Sequence, residues 1–213
     1  MSPYRPFNSS SAQLNLNFEV HQPQYQYASL KPKEGQTRIL TLLPSSQHGA
    51  SIYCVLKITS IDPVSTPFEA LSYTWGEEGD VCPDPIFLNG YSVKIRRNIE
   101  VFLRILRHAT LPRELWADAI CINQASYEEK SVHLDMMAFI YSRARRVVIW
   151  LGLPTDTSAL AVSVLPTISP EADFLRISNV QSHAIDLLFS REWFTRVWVV
   201  QGFMLGQDAI SYC

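Results

Sequence analysis

Residues 146–152 read RVVIWLG, a compact run of β-branched and aromatic side chains that stops at a glycine. A strand covered on one face alternates apolar and polar residues, whereas one covered on both faces can be apolar throughout. The run therefore predicts a central strand of a parallel sheet with helices on either side. Two other segments repeat the signature. FEALSYTWG (residues 68–76) is a short apolar and aromatic run that ends in glycine and enters the acidic loop EEGDVCPDP. ELWADAICI (residues 114–122) leads in the same way to Asn123 and Gln124.

The intervening segments carry helical periodicity. Asn98 can cap a helix in which Ile99, Phe102, Leu103, Leu106 and Ala109 recur before Pro112. Ser126, with Glu129 three residues on, forms a capping-box pattern ahead of a helix with the apolar stripe Val132, Met136, Phe139, Ile140 and Ala144. His133 then falls on the solvent side. Strand, helix, strand, helix, strand predicts an α/β fold: a parallel central sheet with flanking helices in three layers, joined by right-handed crossovers. Weaker helical patterns cover residues 159–165 and 180–190, and a last helix is expected near Trp193.

Towards the N-terminus, RILTLLP (residues 38–44) and SIYCVLKITS (residues 51–60) read as an antiparallel pair of strands. Asn89-Gly90, set between two β-prone stretches in PIFLNGYSVKI, is a strong hairpin signal. Residues 1–36 are rich in Ser, Gln, Asn, Tyr and Pro without a sustained apolar period, so they are expected to form a flexible arm ahead of a single domain over residues 37–213.

A chain of 213 residues suits one domain, and 47% hydrophobic residues supply a sizeable core. Eighteen Lys and Arg against twenty Asp and Glu leave no overall field to favour nucleic acid or an anionic membrane. The expected partner is another protein or a second copy. Cys54, Cys82, Cys121 and Cys213 include no C-x-x-C pair, and the five histidines show no metal-ligand spacing, so no metal is expected and the thiols read as reduced and mostly buried. No secretory pattern and no apolar run of about 18 residues is present, which predicts a cytoplasmic protein.

The segments EALSYTWG, LWADAICINQ, FIYSRARRVVIWLG and REWFTRVWVVQ, in this order and spacing, resemble the fungal heterokaryon-incompatibility (HET) domain. The resemblance covers roughly residues 38–205. It implies a signalling or interaction module of vegetative incompatibility, the non-self recognition that ends in programmed death of fused fungal cells. It also implies a fold distantly similar to the TIR domain, some members of which cleave NAD. On that alternative NAD is a substrate, and no resident cofactor is expected. The family usually shows Asp and Gln where this chain has Ser126 and His133. Its final helix commonly reads W-x-x-Q-E, and this chain has Trp198-Val199-Val200-Gln201-Gly202, so a glycine stands where the resemblance places a catalytic carboxylate.

Ligand sites of parallel sheets lie beyond the carboxyl ends of the strands. Three loops qualify: Thr74, Trp75, Gly76 and Glu77; Asp118, Asn123 and Gln124; and Leu151, Gly152 and Leu153. They are expected to converge on one cleft. Trp75 and Gly76 suit either an aromatic platform with close backbone approach or packing and turning. Asp118 suits a general base, a ribose-hydroxyl acceptor, or a carboxylate that pins a loop, and Glu77 is a second candidate carboxylate. Asn123 and Gln124 suit an amide-bearing ligand or a turn. Arg191 and Arg196 are candidates for anion binding, with Trp193 and Trp198 as packing residues. Three functional readings follow: an assembling regulatory module, an NAD hydrolase, and a truncated product without activity of its own.

Overall fold

The computed structural model describes residues 24–62, 67–168, 177–196 and 206–213. Its strands are β1 (Gln36–Leu42), β2 (Tyr53–Ser60), β3 (Glu69–Ser72), β4 (Ile86–Leu88), β5 (Tyr91–Val93), β6 (Arg113–Trp116), β7 (Arg146–Trp150) and β8 (Ala209–Tyr212). Its helices are α1 (Arg97–Leu106), α2 (Asp118–Cys121), α3 (Tyr127–Arg143), α4 (Asp156–Val164), α5 (Asn179–Phe189) and α6 (Glu192–Thr195).

All eight strands form one sheet in the order β5-β4-β2-β1-β6-β3-β7-β8. The parallel reading holds for β6, β3, β7 and β8. The sheet as a whole is mixed, because β1 runs antiparallel to β6 and brings the N-terminal strands and the hairpin into the same sheet instead of beside it. In chain order the four parallel strands lie second-first-third-fourth.

Register and alternation assign the two faces. Leu71 lies opposite Val148, so these two share a face with Tyr73 and Trp150. There Phe102 of α1 stacks on Trp150, with ring centroids 5.3 Å apart. Ala70 lies opposite Trp116 and Val147 on the other face. There Trp116 meets Tyr141 of α3 edge-on, and Trp193 of α6 donates its indole N–H to Ser72 Oγ at 3.1 Å. With helices on both sides, β3 and β7 are buried almost throughout. Leu71, Tyr73, Trp116, Val148 and Trp150, together with Ile120 of α2, all lie in this core.

The Asn89-Gly90 hairpin is present, with both residues at positive φ as a two-residue turn requires. Three expectations are corrected. The N-cap of α1 is Arg96, and Asn98 has a different task described below. The buried face of α3 is His133, Ile140 and Tyr141, so His133 is fully buried, while Phe139 is exposed beneath the Arg143 guanidinium. Ile140 and Ala144 are buried and Met136 packs against the core as expected; the differences are Phe139 and His133, which was counted as polar but finds buried partners. Residues 24–35, counted with the arm on composition, are described and seated: Tyr25 and Tyr27 pack against the core. The remainder of the arm, residues 1–23, lies outside the described residues, as do Trp198, Gln201 and Gly202. Strand β8 was not anticipated, since AISY is too short to show a period.

Val148 has no exposed surface. In Val148→Asp an unpaired buried charge costs several kcal/mol against a total stability of ~5–15 kcal/mol. Calorimetry should show loss of the cooperative melting transition, and a native-like transition would contradict the central place of β7.

Candidate functional site

Two loops meet at the carboxyl ends of β3 and β6. The Trp75 indole N–H donates to Asp118 Oδ2 at 2.9 Å, and the Ala119 N–H donates to Asp118 Oδ1 at 2.8 Å. Gln124 Nε2 donates to the Asp118 backbone carbonyl at 2.9 Å, closing the loop on itself. Arg96 lies over the Trp75 ring, 5.4 Å from its centroid, and donates to the Gly76 carbonyl at 3.0 Å. Gly76 turns the chain at φ 75°, a conformation that glycine adopts without a steric penalty. Arg196 donates to the Tyr73 carbonyl at 2.9 Å and places its charge near Asp118.

Burial raises the Asp118 carboxyl above its ordinary value, against the opposing pull of its hydrogen-bond donors and the Arg196 charge. The Tyr73 hydroxyl is buried beside it without completing a hydrogen bond of good geometry. A cavity of about 30 Å³ remains between Asp118, Tyr141 and Arg196, enough for a water molecule and too small for a nicotinamide ring.

The expected three-loop cleft is thus a two-loop cluster. Leu151, Gly152 and Leu153 are clamped elsewhere by Arg191, which donates to the Leu151 carbonyl at 2.8 Å and to that of Leu153 at 3.3 Å. Arg191 is therefore committed to backbone carbonyls. The link between the two regions is Asn98, whose amide donates to Thr74 and whose Oδ1 accepts from the Trp150 indole at 2.7 Å. Glu77 is exposed beyond Gly76. Asn123 is a turn residue, its Oδ1 accepting from the Ala125 N–H at 3.1 Å.

A second cluster, which sequence reading missed, lies beside the first. Arg38 on β1 is fully buried, with its side chain 2% exposed. It donates to Glu129 at 2.6 and 3.2 Å, to the Cys121 carbonyl at 3.0 Å and to the Ala28 carbonyl at 2.6 Å. Glu129 also accepts the Asn123 N–H at 2.7 Å. Only half of the expected capping box therefore forms: Ser126 accepts the Glu129 N–H, while the Glu129 carboxylate turns to Arg38. Burial would raise this carboxyl, but Arg38 and the Asn123 N–H outweigh it and hold it below the ordinary value.

His133 lies one helical turn further on. Its Nδ1 faces the Glu129 carbonyl at 2.9 Å, which can only accept, so Nδ1 carries the proton. Nε2 then accepts from the Thr37 hydroxyl at 3.3 Å, and that hydroxyl accepts the Trp116 indole N–H at 3.1 Å. Burial lowers the His133 pKa and keeps the ring neutral. A charged residue inside the apolar strand RILTLL was the available signal, since a buried arginine requires an acidic partner elsewhere. Burial also raises the Cys54 and Cys121 thiols to about 12, so neither is a ready nucleophile. Among the described residues no three His, Cys, Asp or Glu side chains gather as metal ligands, and no helix is long and apolar enough to cross a membrane.

The family model for the heterokaryon incompatibility protein (HET) matches residues 68–202, which takes in the first cluster and, of the second, Glu129 and His133 but not Arg38 or Thr37, and the chain belongs to this family. It is 27% identical, over an alignment of 239 residues, to Heterokaryon incompatibility protein 6, OR allele, of Neurospora crassa. That alignment takes in 89% of this chain and 35% of the relative, so the chain spans about a third of the relative's length. No solved structure matches the chain.

Removing one partner of a buried pair leaves the other charge unpaired, which costs ~3–5 kcal/mol. Glu129→Ala should lower the urea midpoint accordingly, and Arg38→Met combined with Glu129→Leu should recover much of the loss. Equal midpoints for Glu129→Ala and the wild type would show that the pair contributes nothing.

Because the folded pKa of His133 lies below the unfolded value of 6.5, the folded chain binds fewer protons than the unfolded chain between those values. This contribution to stability is complete above the unfolded pKa and is lost as pH falls through the folded one. The urea midpoint should drop between about pH 7.5 and about pH 5.5. His133→Gln should flatten that slope, and an unchanged slope would remove His133 as its cause.

Proposed function

We propose that this chain is an intracellular interaction module of heterokaryon incompatibility, acting by assembly with itself or a partner protein in the non-self recognition that leads to cell death. Family membership and the name of the Neurospora relative support the biological setting. The observation that carries the molecular reading is the state of the crevice at the carboxyl ends of the parallel strands. Open α/β sheets take their ligands there. In this chain Trp75, Asp118 and Gln124 bond to one another and Arg96 caps the Trp75 ring, so that a cavity of about 240 Å³ remains beside Trp75, Arg96 and Gln124 but only about 30 Å³ at Asp118, and both Asp118 carboxylate oxygens already hold a donor. A general base must lie within reach of its substrate, and Asp118 faces only the cavity of about 30 Å³.

The alternative is a TIR-like hydrolase that cleaves NAD. Its support is the second-first-third-fourth order of the parallel strands, with a carboxylate, a tryptophan and Arg196 gathered at their carboxyl ends. Against it stands Gly202 at the position where the resemblance places a glutamate. A carboxylate there would stabilise positive charge developing on the ribose, and loss of a well-placed electrostatic group costs about two to three orders of magnitude in rate. Purified wild type and Gly202→Glu should both leave NAD intact, while light scattering should show a mass that rises with concentration. Turnover by the wild type, abolished in Asp118→Asn, would replace the module reading with the hydrolase. Turnover in Gly202→Glu alone would mark a degenerate member of a catalytic lineage.

A further inference from the structure

Residues 24–28 cross the carboxyl-end crevice as an extended segment. Exposure alternates along it, with Gln24, Gln26 and Ala28 outward and Tyr25 and Tyr27 turned in. The Tyr27 hydroxyl donates to the Ile120 carbonyl at 3.0 Å, and the Arg38 guanidinium lies 4.8 Å from the ring centroid. The same guanidinium holds the Ala28 carbonyl. Tyr25 meets Tyr91 of the hairpin edge-on, with centroids 5.9 Å apart, and its hydroxyl is 3.5 Å from Asn89 Nδ2. Every one of these contacts uses a side chain. Among the described residues no backbone-to-backbone hydrogen bond joins residues 24–30 to the sheet.

Two cavities flank the segment. One of about 500 Å³ separates it from the start of α3, and one of about 590 Å³ separates it from Lys94 and Ile95 beyond the hairpin. The segment is seated by two side-chain anchors rather than packed along its length. It joins β1 through a short 3₁₀ turn, Pro32–Glu34, and Gly35 at φ 77°. That turn is held by the Gly35 N–H to the Pro32 carbonyl and the Ile61 N–H to the Gly35 carbonyl, so the hinge that can redirect the chain lies only ahead of it, at Ser29 and Leu30, which make no backbone-to-backbone hydrogen bond among the described residues.

We infer that this cleft is an exchange site, whose second occupant is the Tyr25-Gln26-Tyr27 segment of another copy of the chain. The cleft already shows its complement: an extended peptide with tyrosines two residues apart and a carbonyl for Arg38. Every copy carries that peptide. Swapped and closed forms make the same contacts, so concentration and the hinge conformation set the balance between them. The inference builds on the assembling-module reading and specifies the surface through which assembly proceeds.

The test joins two full-length preparations. In the first, isotopically light, Gln26→p-benzoylphenylalanine puts a photo-crosslinker on an exposed residue of the segment. The second is isotopically heavy wild type. After mixing and irradiation, the light segment should be joined to heavy peptides spanning residues 93–95 or 119–125. That yield should rise with protein concentration and fall when a synthetic peptide of residues 24–31 is added in excess. Light-to-light crosslinks alone at every concentration would overturn the exchange. So would a dimer by light scattering whose light-to-heavy crosslinks map outside the cleft, although assembly itself would then stand.

Discussion

A guanidinium buried at the start of β1 organises one end of this molecule. The Arg38 guanidinium lies where only 2% of its side chain meets solvent, and such a charge must be neutralised: both Nη groups are bonded, while Nε has no hydrogen-bond partner among the described residues. Glu129 supplies the neutralisation from α3, Cys121 a carbonyl from the end of α2, and Ala28 a carbonyl from the N-terminal segment. Two neighbouring N-terminal segments are therefore placed against two more than 80 residues later by one side chain. The demand propagates: Glu129 also fixes Asn123, and its own carbonyl sets the tautomer of His133, which in turn receives the hydroxyl that Trp116 has bonded. Trp116 lies on β6, so the chain of contacts returns to the sheet.

The polar groups of the neighbouring cluster obey the same rule with different consequences. Trp75, Trp150 and Trp193 each find an acceptor for the indole N–H, in Asp118, Asn98 and Ser72 respectively. Large aromatic rings can be buried at strand ends only when that polar handle is met. The aromatic and amide residues which look in the sequence like ligand-binding groups are thus spent on holding the ends of the parallel strands together. What the crevice leaves open is occupied by an extended stretch of the chain that carries two tyrosines of its own.

Much of the architecture was legible because it depends on short-range regularities. Apolar runs located β3, β6 and β7, the first and last of them ending in glycine, a helical period located α1, and Asn89-Gly90 located the hairpin through its need for positive φ. Ser126 marked the start of α3 through a hydrogen bond three residues long. These features are set by residues within a turn or two of one another, so the amino-acid order alone determined them, along with membership in the HET family. Tertiary structure decided the rest. That β1 joins the parallel strands antiparallel to β6 depends on which edge is free when the pieces meet. That Glu129 leaves its capping box, that His133 turns inward, and that Asn98 abandons its cap for Thr74 and Trp150 all depend on partners 24 to 96 positions away in the chain. A buried polar group takes the strongest partner that packing delivers, and only the folded chain brings those partners within reach.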